Sequence, residues 1–470
     1  MVLIVPLVSS HVSASFVPPD LLEAAPGWSP AFFAGPAAVA LRAGSRGVSV
    51  SDLGGGVLEG WRVSETPGAL AYNPRAATTP VYRQGNIGRL RLVLTARHWD
   101  PPQMTGRWCV QPDDVVLNKL APVRAAFVSA AARRHPVDGN SLIVRGLSRP
   151  SAVWVTLCIN QPGYEQLLLS ESGGLRRVGI GTLASLRVPA VPPEMDGLSA
   201  RLRDVLDELT LAGETLQRVR LEAAEVANAA PALGPDPRLG AFFGREAVSN
   251  DSWLPSAVAL RAEQTVLEDE HGWVMLSELA SADNRTRLGH ASEGTRTLRL
   301  SDVADDLFVP ATEGSASDVE SISSRTLAKP LVPGEVLLST LGRSFRAAYV
   351  DEGVPPNTFP VDSWVRLLFR ETPAAWALLL STEPLRSQAA RLAVGSVQQF
   401  VPPDALRSLR VPTPPREVRD RWQRTVERHH AQRRSLDRRW SALSSELSAV
   451  FDAVHKPFMA SRSLAQEVLQ

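Results

Sequence analysis

The chain has 470 residues, 44% hydrophobic and 21% charged, with a formal net charge of +1. That is enough apolar material for two or three domains with cores of their own, and no long low-complexity tract argues for disorder. The cysteines, Cys109 and Cys158, stand in apolar runs (RWCVQP and TLCINQP) with no partner at metal-ligand spacing. This excludes a disulfide scaffold or zinc site and fits a reducing cytoplasm.

The apolar opening Met1–Val8 is broken by Pro6 and followed by Ser9, Ser10 and His11. It is too short to cross a membrane and lacks the basic start of a signal peptide, so the expectation is a buried strand. The leader Met1–Phe16 has no evident role. Charge varies along the chain. Residues 1–195 carry 18 Lys and Arg against 12 Asp and Glu, a net +6; residues 196–230 net −3, residues 231–415 net −6 and residues 416–456 net +4.

An internal repeat sets the architecture. Ala38–Ala43 reads AVALRA, as does Ala257–Ala262. Pro112–Val128 (PDDVVLNKLAPVRAAFV) matches Pro333–Val350 (PGEVLLSTLGRSFRAAYV) with one inserted residue, Trp154 falls opposite Trp376, and SLRVP stands at both Ser185–Pro189 and Ser408–Pro412. The offset stays between 219 and 223, so the chain is two copies of one module. Each copy runs through an apolar segment and an SDL or SEL turn (Val50–Leu53, Leu276–Leu279), then a polar stretch bearing Gly and Arg. A turn and an apolar strand come next, followed by a tryptophan-bearing helix, a glycine-started loop and a strand ending in prolines. Short strands mixed with helices predict a compact α/β module of about 190 residues.

After the prolines each copy turns into a long helix. In the first, Leu198, Leu202, Val205, Leu209, Ala212, Leu216, Val219, Ala223 and Val226 alternate by four and three, the spacing of a coiled-coil seam. In the second, Leu436, Trp440, Leu443, Leu447, Val450 and Val454 do the same; earlier, Val418 and Trp422 fit but Thr425, His429 and Gln432 occupy the seam. Opposite net charges make the two helices partners, with Leu202, Leu209 and Leu216 of the first and Trp440, Leu443 and Leu447 of the second as pairing positions. Pro231–Gly240 (PALGPDPRLG) links helix one to module two.

This order of module, helix, module, helix resembles the specificity subunit of type I restriction–modification systems. The most diagnostic stretch is Gly395–Pro415 (GSVQQFVPPDALRSLRVPTPP), similar to that family's ending of a recognition domain; Val332–Leu341 (VPGEVLLSTL) is similar to its turn-and-buried-strand element. One departure is Arg176, in the first copy's loop Gly173–Arg177 (GGLRR), where the second copy has Gln398. The resemblance implies two target-recognition domains (1–195 and 231–415) and two spacer helices (196–230 and 416–458) packed as an antiparallel coiled coil, with a tail at 459–470. It also implies a non-catalytic chain that reads a bipartite site in double-stranded DNA. Its partners would be methyltransferase subunits, in two copies, and a restriction/translocase subunit. S-adenosylmethionine, ATP and magnesium would belong to those partners; this chain binds no cofactor, metal or membrane. The alternatives are a recognition subunit of another anti-phage defence complex, and a coiled-coil interaction scaffold, to which the acidic second module lends support.

Under the DNA reading, Lys and Arg bind phosphate, while Arg on guanine and Asn or Gln on adenine read base edges, all from loops. In module one the candidates are Arg83, Gln84, Asn86 and Arg89 in YRQGNIGRLR, Lys119 and Arg124 around Ala121–Pro122, and Arg176 and Arg177. In module two they are Arg285 and Arg287 in ADNRTRLGH, Arg343, Arg346, Gln398 and Gln399. Catalytic motifs fail on inspection. Pro112-Asp113-Asp114 suggests a magnesium nuclease, but Leu117-Asn118-Lys119 lacks the acid that chemistry needs two before the lysine, and Thr340 replaces Lys119 in the second copy. There is no P-loop. Asn73-Pro74-Arg75 stops short of an amino-methyltransferase motif. His429 and His430, adjacent on a helix, point to different faces and make no metal pair.

Overall fold

The computed structural model describes residues 2–6, 12–16, 40–41, 43–44, 47–61, 80–99, 105–170, 177–228, 272–282, 296–303, 307–309, 330–340, 345–360, 363–393 and 400–467. In chain order the first elements are β1 (Val2–Pro6), β2 (Val12–Phe16), β3 (Val48–Ser49), β4 (Gly56–Glu59), β5 (Leu90–Arg91), β6 (Val115–Asn118), β7 (Ala125–Phe127) and β8 (Ser141–Arg145). Then come α1 (Arg149–Ile159), α2 (Pro162–Ser170), α3 (Ile180–Ser185), β9 (Arg187–Val188) and the long α4 (Met195–Asn228). The rest is β10 (Trp273–Met275), α5 (Leu276–Leu279), β11 (Ala280–Ala282), β12 (Arg296–Leu298), β13 (Glu335–Ser339), β14 (Ala347–Tyr349), β15 (Thr358–Pro360) and β16 (Trp364–Phe369), then α6 (Pro373–Leu380), α7 (Glu383–Arg391), α8 (Pro403–Arg407), β17 (Arg410–Pro412) and α9 (Arg416–Glu467). The chain divides into two units, Met1–Leu211 with Leu436–Gln470, and Ala212–Ser435.

In the first unit a five-stranded sheet runs β4-β8-β6-β7-β5. All its pairs are antiparallel except β5 with β7. The run VVL in β6 is buried on both faces: Val115 and Leu117 enter the core under the helices, and Val116 a second core with Tyr82, Ile87 and Val137. That explains why it reads as continuous rather than alternating. Helix α1 starts at Ser148, whose Oγ accepts from the Ser151 N–H, with a proline in the first turn. Its Trp154 is fully buried and donates Nε1–H to the Pro189 carbonyl at 2.9 Å. The leader is not a lone strand: β1 and β2 form an antiparallel hairpin with Val2 opposite Phe16.

In the second unit four antiparallel strands run β11-β16-β13-β14. Here too Val336 and Leu338 face the core of Trp376 and α6, while Leu337 faces the other side. The same hydrogen bonds recur. Asp113 and Gly334, both with positive φ, donate to Val128 O and Val350 O; Gln111 and Val332 donate to the carboxylates of Asp114 and Glu335. Lys119 N–H bonds Asn140 O as Thr340 N–H bonds Ser363 O, and Val178 N–H bonds Lys119 O as Val401 N–H bonds Thr340 O.

The turn carboxylates also hold arginines: the half-buried Arg145 forks onto Asp114 (Nη2 to Oδ2 2.7 Å), and the buried Arg366 bonds Glu335. Burial is the larger effect on Asp114 and lifts its carboxyl above the usual value despite Arg145. The Asp113-Asp114 pair is therefore occupied as a structural turn.

The long helices follow their seams. In the first unit Leu198, Leu202 and Leu206 share a core with Leu443, Leu447 and Phe451; Leu209 and Trp440 pack at its margin. Arg201 bonds Glu446 at 3.1 Å and Arg439 bonds Glu208 at 2.7 Å. In the second unit Leu216, Ala223 and Ala227 share a core with Trp422 and Val426, and Arg421 bonds Glu222. Two expectations need correcting. Helix α9 continues through Pro457 to Glu467, beyond the end expected at residue 458. Its weak early seam is closed by Val426 rather than Thr425, together with the buried His429 and His430. His430 Nδ1 lies 2.9 Å from Asp351, which Arg434 also bonds. Burial acts against the charged Asp351, but these bonds outweigh it and hold the carboxyl below its usual range. Among the described residues no helix is long and apolar enough to cross a membrane.

Candidate nucleic-acid interface

In the first unit the β6–β7 turn, the start of β5 and the segment after α2 meet at one end of the sheet. Leu120 bridges Arg177, and Leu90 pairs with Ala126, which sets Arg89 beside the start of β7. The turn Asp138-Gly139-Asn140 closes that end: Asp138 accepts from Asn140 N–H (3.2 Å) and from Ser141 Oγ (2.9 Å), an Asx turn. Gly60 packs so tightly here that a Cβ would lie 1.9 Å from the Asp138 carbonyl oxygen, so no larger residue fits. Burial raises the Asp138 carboxyl above its usual value, opposed by its own hydrogen bonds and by the charges of Arg83 and Lys119. The fold thus gathers Arg83, Arg89, Lys119, Arg124 and Arg177 from three separate stretches of sequence.

They are not equivalent there. Arg89, Arg124 and Arg177 are exposed, and Arg83 and Gln84 half-exposed. Lys119 is only 2% exposed; its ammonium bonds Glu59 and the Gly139 carbonyl. Read from sequence as a loop cation, it is instead an internal strut, because the strand carries it inward where Glu59 offsets the burial of its charge. Asn86 is likewise committed. Its Oδ1 accepts from the Arg83 N–H and its Nδ2 donates to Val93 O, both at 3.0 Å, so it shapes the loop that carries Arg83 and Gln84. Arg177 reaches towards Glu59 (3.8 Å) and Gly139 O (3.5 Å) while keeping 42% of its side chain exposed.

In the second unit Arg346 follows the same turn, its N–H donating to Ser339 Oγ at 2.8 Å as Arg124 N–H donates to Asn118 Oδ1 at 2.6 Å. Its guanidinium, however, donates to Leu300 O (2.6 Å) and Val303 O (2.8 Å), so it ties down backbone rather than facing outward. Arg176, Arg285, Arg287, Arg343, Gln398 and Gln399 lie outside the described residues.

Sequence reasoning missed Glu59, which organises Lys119 and Arg177, and the exposed Asn140 beside them. The Asp-Gly pair at 138–139 was the available signal for a turn there. Among the described residues no group of three or more His, Cys, Asp or Glu is placed to hold a metal. Cys109 and Cys158 are buried thiols rather than disulfide sulfurs, and burial pushes both up.

No family model and no curated protein matches the chain. It is similar to solved structures of type I restriction–modification specificity subunits. The S subunit from M. genitalium aligns with a TM-score of 0.33 and 11% identity over 87% of this chain and 95% of that one. The HsdS subunit from Thermoanaerobacter tengcongensis aligns with 0.24 and 15% over 80% and 89%. A chain from a structure describing complex assembly and conformational transition of the type I R-M system aligns with 0.24 and 15% over 88% and 97%.

Proposed function

We propose that this chain is the non-catalytic, sequence-specific DNA-recognition subunit of a type I restriction–modification-like complex. The observation that carries the reading is the repetition of one module, with the same turn and strand hydrogen bonds some 221 residues apart, each copy followed by a long helix. In the first copy exposed arginines from separate stretches, Arg89, Arg124 and Arg177, share one end of the sheet, an arrangement suited to base edges and phosphates. Each module reads one half-site. The helices α4 and α9 act as an antiparallel coiled-coil spacer, which the opposed order of the Arg201–Glu446 and Arg439–Glu208 pairs supports. Two methyltransferase subunits and a restriction/translocase subunit assemble on this chain and bring S-adenosylmethionine, ATP and magnesium with them.

Filter binding of the full chain to random duplex DNA, with and without co-expressed methyltransferase, tests the reading. Salt-sensitive binding that strengthens with the partner is expected. No DNA binding in either state would favour a protein-interaction scaffold, the reading that the −6 charge of residues 231–415 favours.

A further inference from the structure

The second unit's acidic module leaves a question of where that half of the molecule finds positive charge. Residues 231–415 net −6, yet the adjoining part of helix α9, residues 416–435, carries seven arginines against three acids. The rest of the same helix is balanced: residues 436–456 hold three basic and three acidic side chains. The arginines are therefore concentrated on one segment rather than spread along a solvated helix.

They also share a face. Val418, Trp422, Val426 and His429 point into the second unit's core. Arg421, Arg424 and Arg428, at i, i+3 and i+7, lie off that buried face and are exposed. They span about 10 Å of helix axis, the reach of a few successive phosphates on one strand. Arg421 also bonds Glu222 across an exposed pair, an interaction weak enough to exchange for a phosphate. Arg419, Arg433 and Arg434 are used otherwise, over Trp376 and Phe308.

We infer that Arg421, Arg424 and Arg428 form a docking stripe for the phosphate backbone of duplex DNA. This rests on the DNA-recognition reading and adds to it a sequence-independent anchor on the spacer helix, which supplies the affinity that the acidic module lacks.

The test is the Arg424→Gln/Arg428→Gln double variant of the full chain, both positions exposed. Binding to a random duplex is followed by fluorescence anisotropy across a salt series, with the melting temperature as a folding check. Loss of two phosphate contacts should lower the slope of log affinity against log salt by about 1.8, equally for every DNA sequence. Arg386→Gln, an arginine of helix α7 in the same unit, should leave the slope unchanged. A wild-type slope in the double variant, while the parent still binds DNA, overturns the stripe alone; a parent that binds no DNA overturns the recognition reading with it. Unchanged DNA slope with lost assembly onto a partner subunit would assign the stripe to an acidic protein surface instead.

Discussion

Three leucines on helix α4 provide a graded test of the seam. Leu202 is 0% exposed and sits in the first unit's core with Leu443 and Leu447, Leu209 is partly buried at its margin, and Leu211 is 54% exposed. Each Leu→Ala change leaves helix propensity nearly unaltered, so differences report packing alone. At Leu202 the lost transfer energy and the residual cavity together cost about 2–5 kcal/mol. At Leu211 the change stays within about 0.5 kcal/mol. For a unit of this size each kcal/mol shifts the midpoint by roughly 2–4 °C, so Leu202→Ala should lower it by about 9 °C for a mid-range loss of about 3 kcal/mol. Leu209→Ala should fall between. Thermal unfolding followed by circular dichroism at matched protein concentration reads all three. Equal losses at Leu202 and Leu211, or none at Leu202, would show that this face of α4 is not packed as described.

Other substitutions separate structural from recognition roles. Lys119→Ala leaves Glu59 without its buried partner and should reduce stability by about 1–3 kcal/mol, whereas Arg124→Ala, at an exposed site, should weaken DNA binding with an unchanged melting temperature. Asp114→Ala strands the half-buried Arg145 and should destabilise the chain by about 3 kcal/mol, while neither wild type nor variant cleaves DNA in magnesium; cutting that the variant abolishes would contradict the turn assignment. His455 is buried, and burial holds its pKa below the usual imidazole value, although it bonds Phe451 O and faces Tyr164 Oη at 3.1 Å and the nearby Asp452. The unfolded chain therefore takes up the proton first, so stability is unaffected well above about pH 6.5 and is lost as pH falls below it. His455→Gln should flatten that part of a melting-temperature profile between pH 7.5 and 5.5; an unchanged profile would show that His455 does not carry it.

The long elements were the most legible. Strict four-three spacing from Leu198 to Val226 leaves only one face of α4 to bury, and the buried set Leu198, Leu202, Val205, Ala212 and Leu216 lies on it. The VVL and VLL runs read correctly as strands because burial on both faces removes the alternation a one-sided strand would show. The site was legible as residue types but not as availability. Lys119, Asn86 and Arg346 look alike as loop donors in the sequence, yet their partners (Glu59, the backbone of Arg83 and Val93, and the carbonyls of Leu300 and Val303) are 7 to 60 residues away or set by local turn geometry. Only the fold reveals which donors are already spent internally. The early half of α9 was obscured for a similar reason: His429 and His430 look polar but are buried, and the partner of His430, Asp351, lies 79 residues earlier in the chain.

If two readers share one spacer, their separate contributions are visible in a genome-wide map of methylated sites. The full complex, with its partner methyltransferase, would be compared with two variants, Arg124→Ala/Arg177→Ala in the first module and Gln398→Ala/Gln399→Ala in the second. Each lost base contact should relax recognition by about 1–3 kcal/mol. The arginine variant should alter one half of the bipartite site and the glutamine variant the other, with the gap between them unchanged. Loss of preference in both halves from either variant, or in neither, would contradict the account.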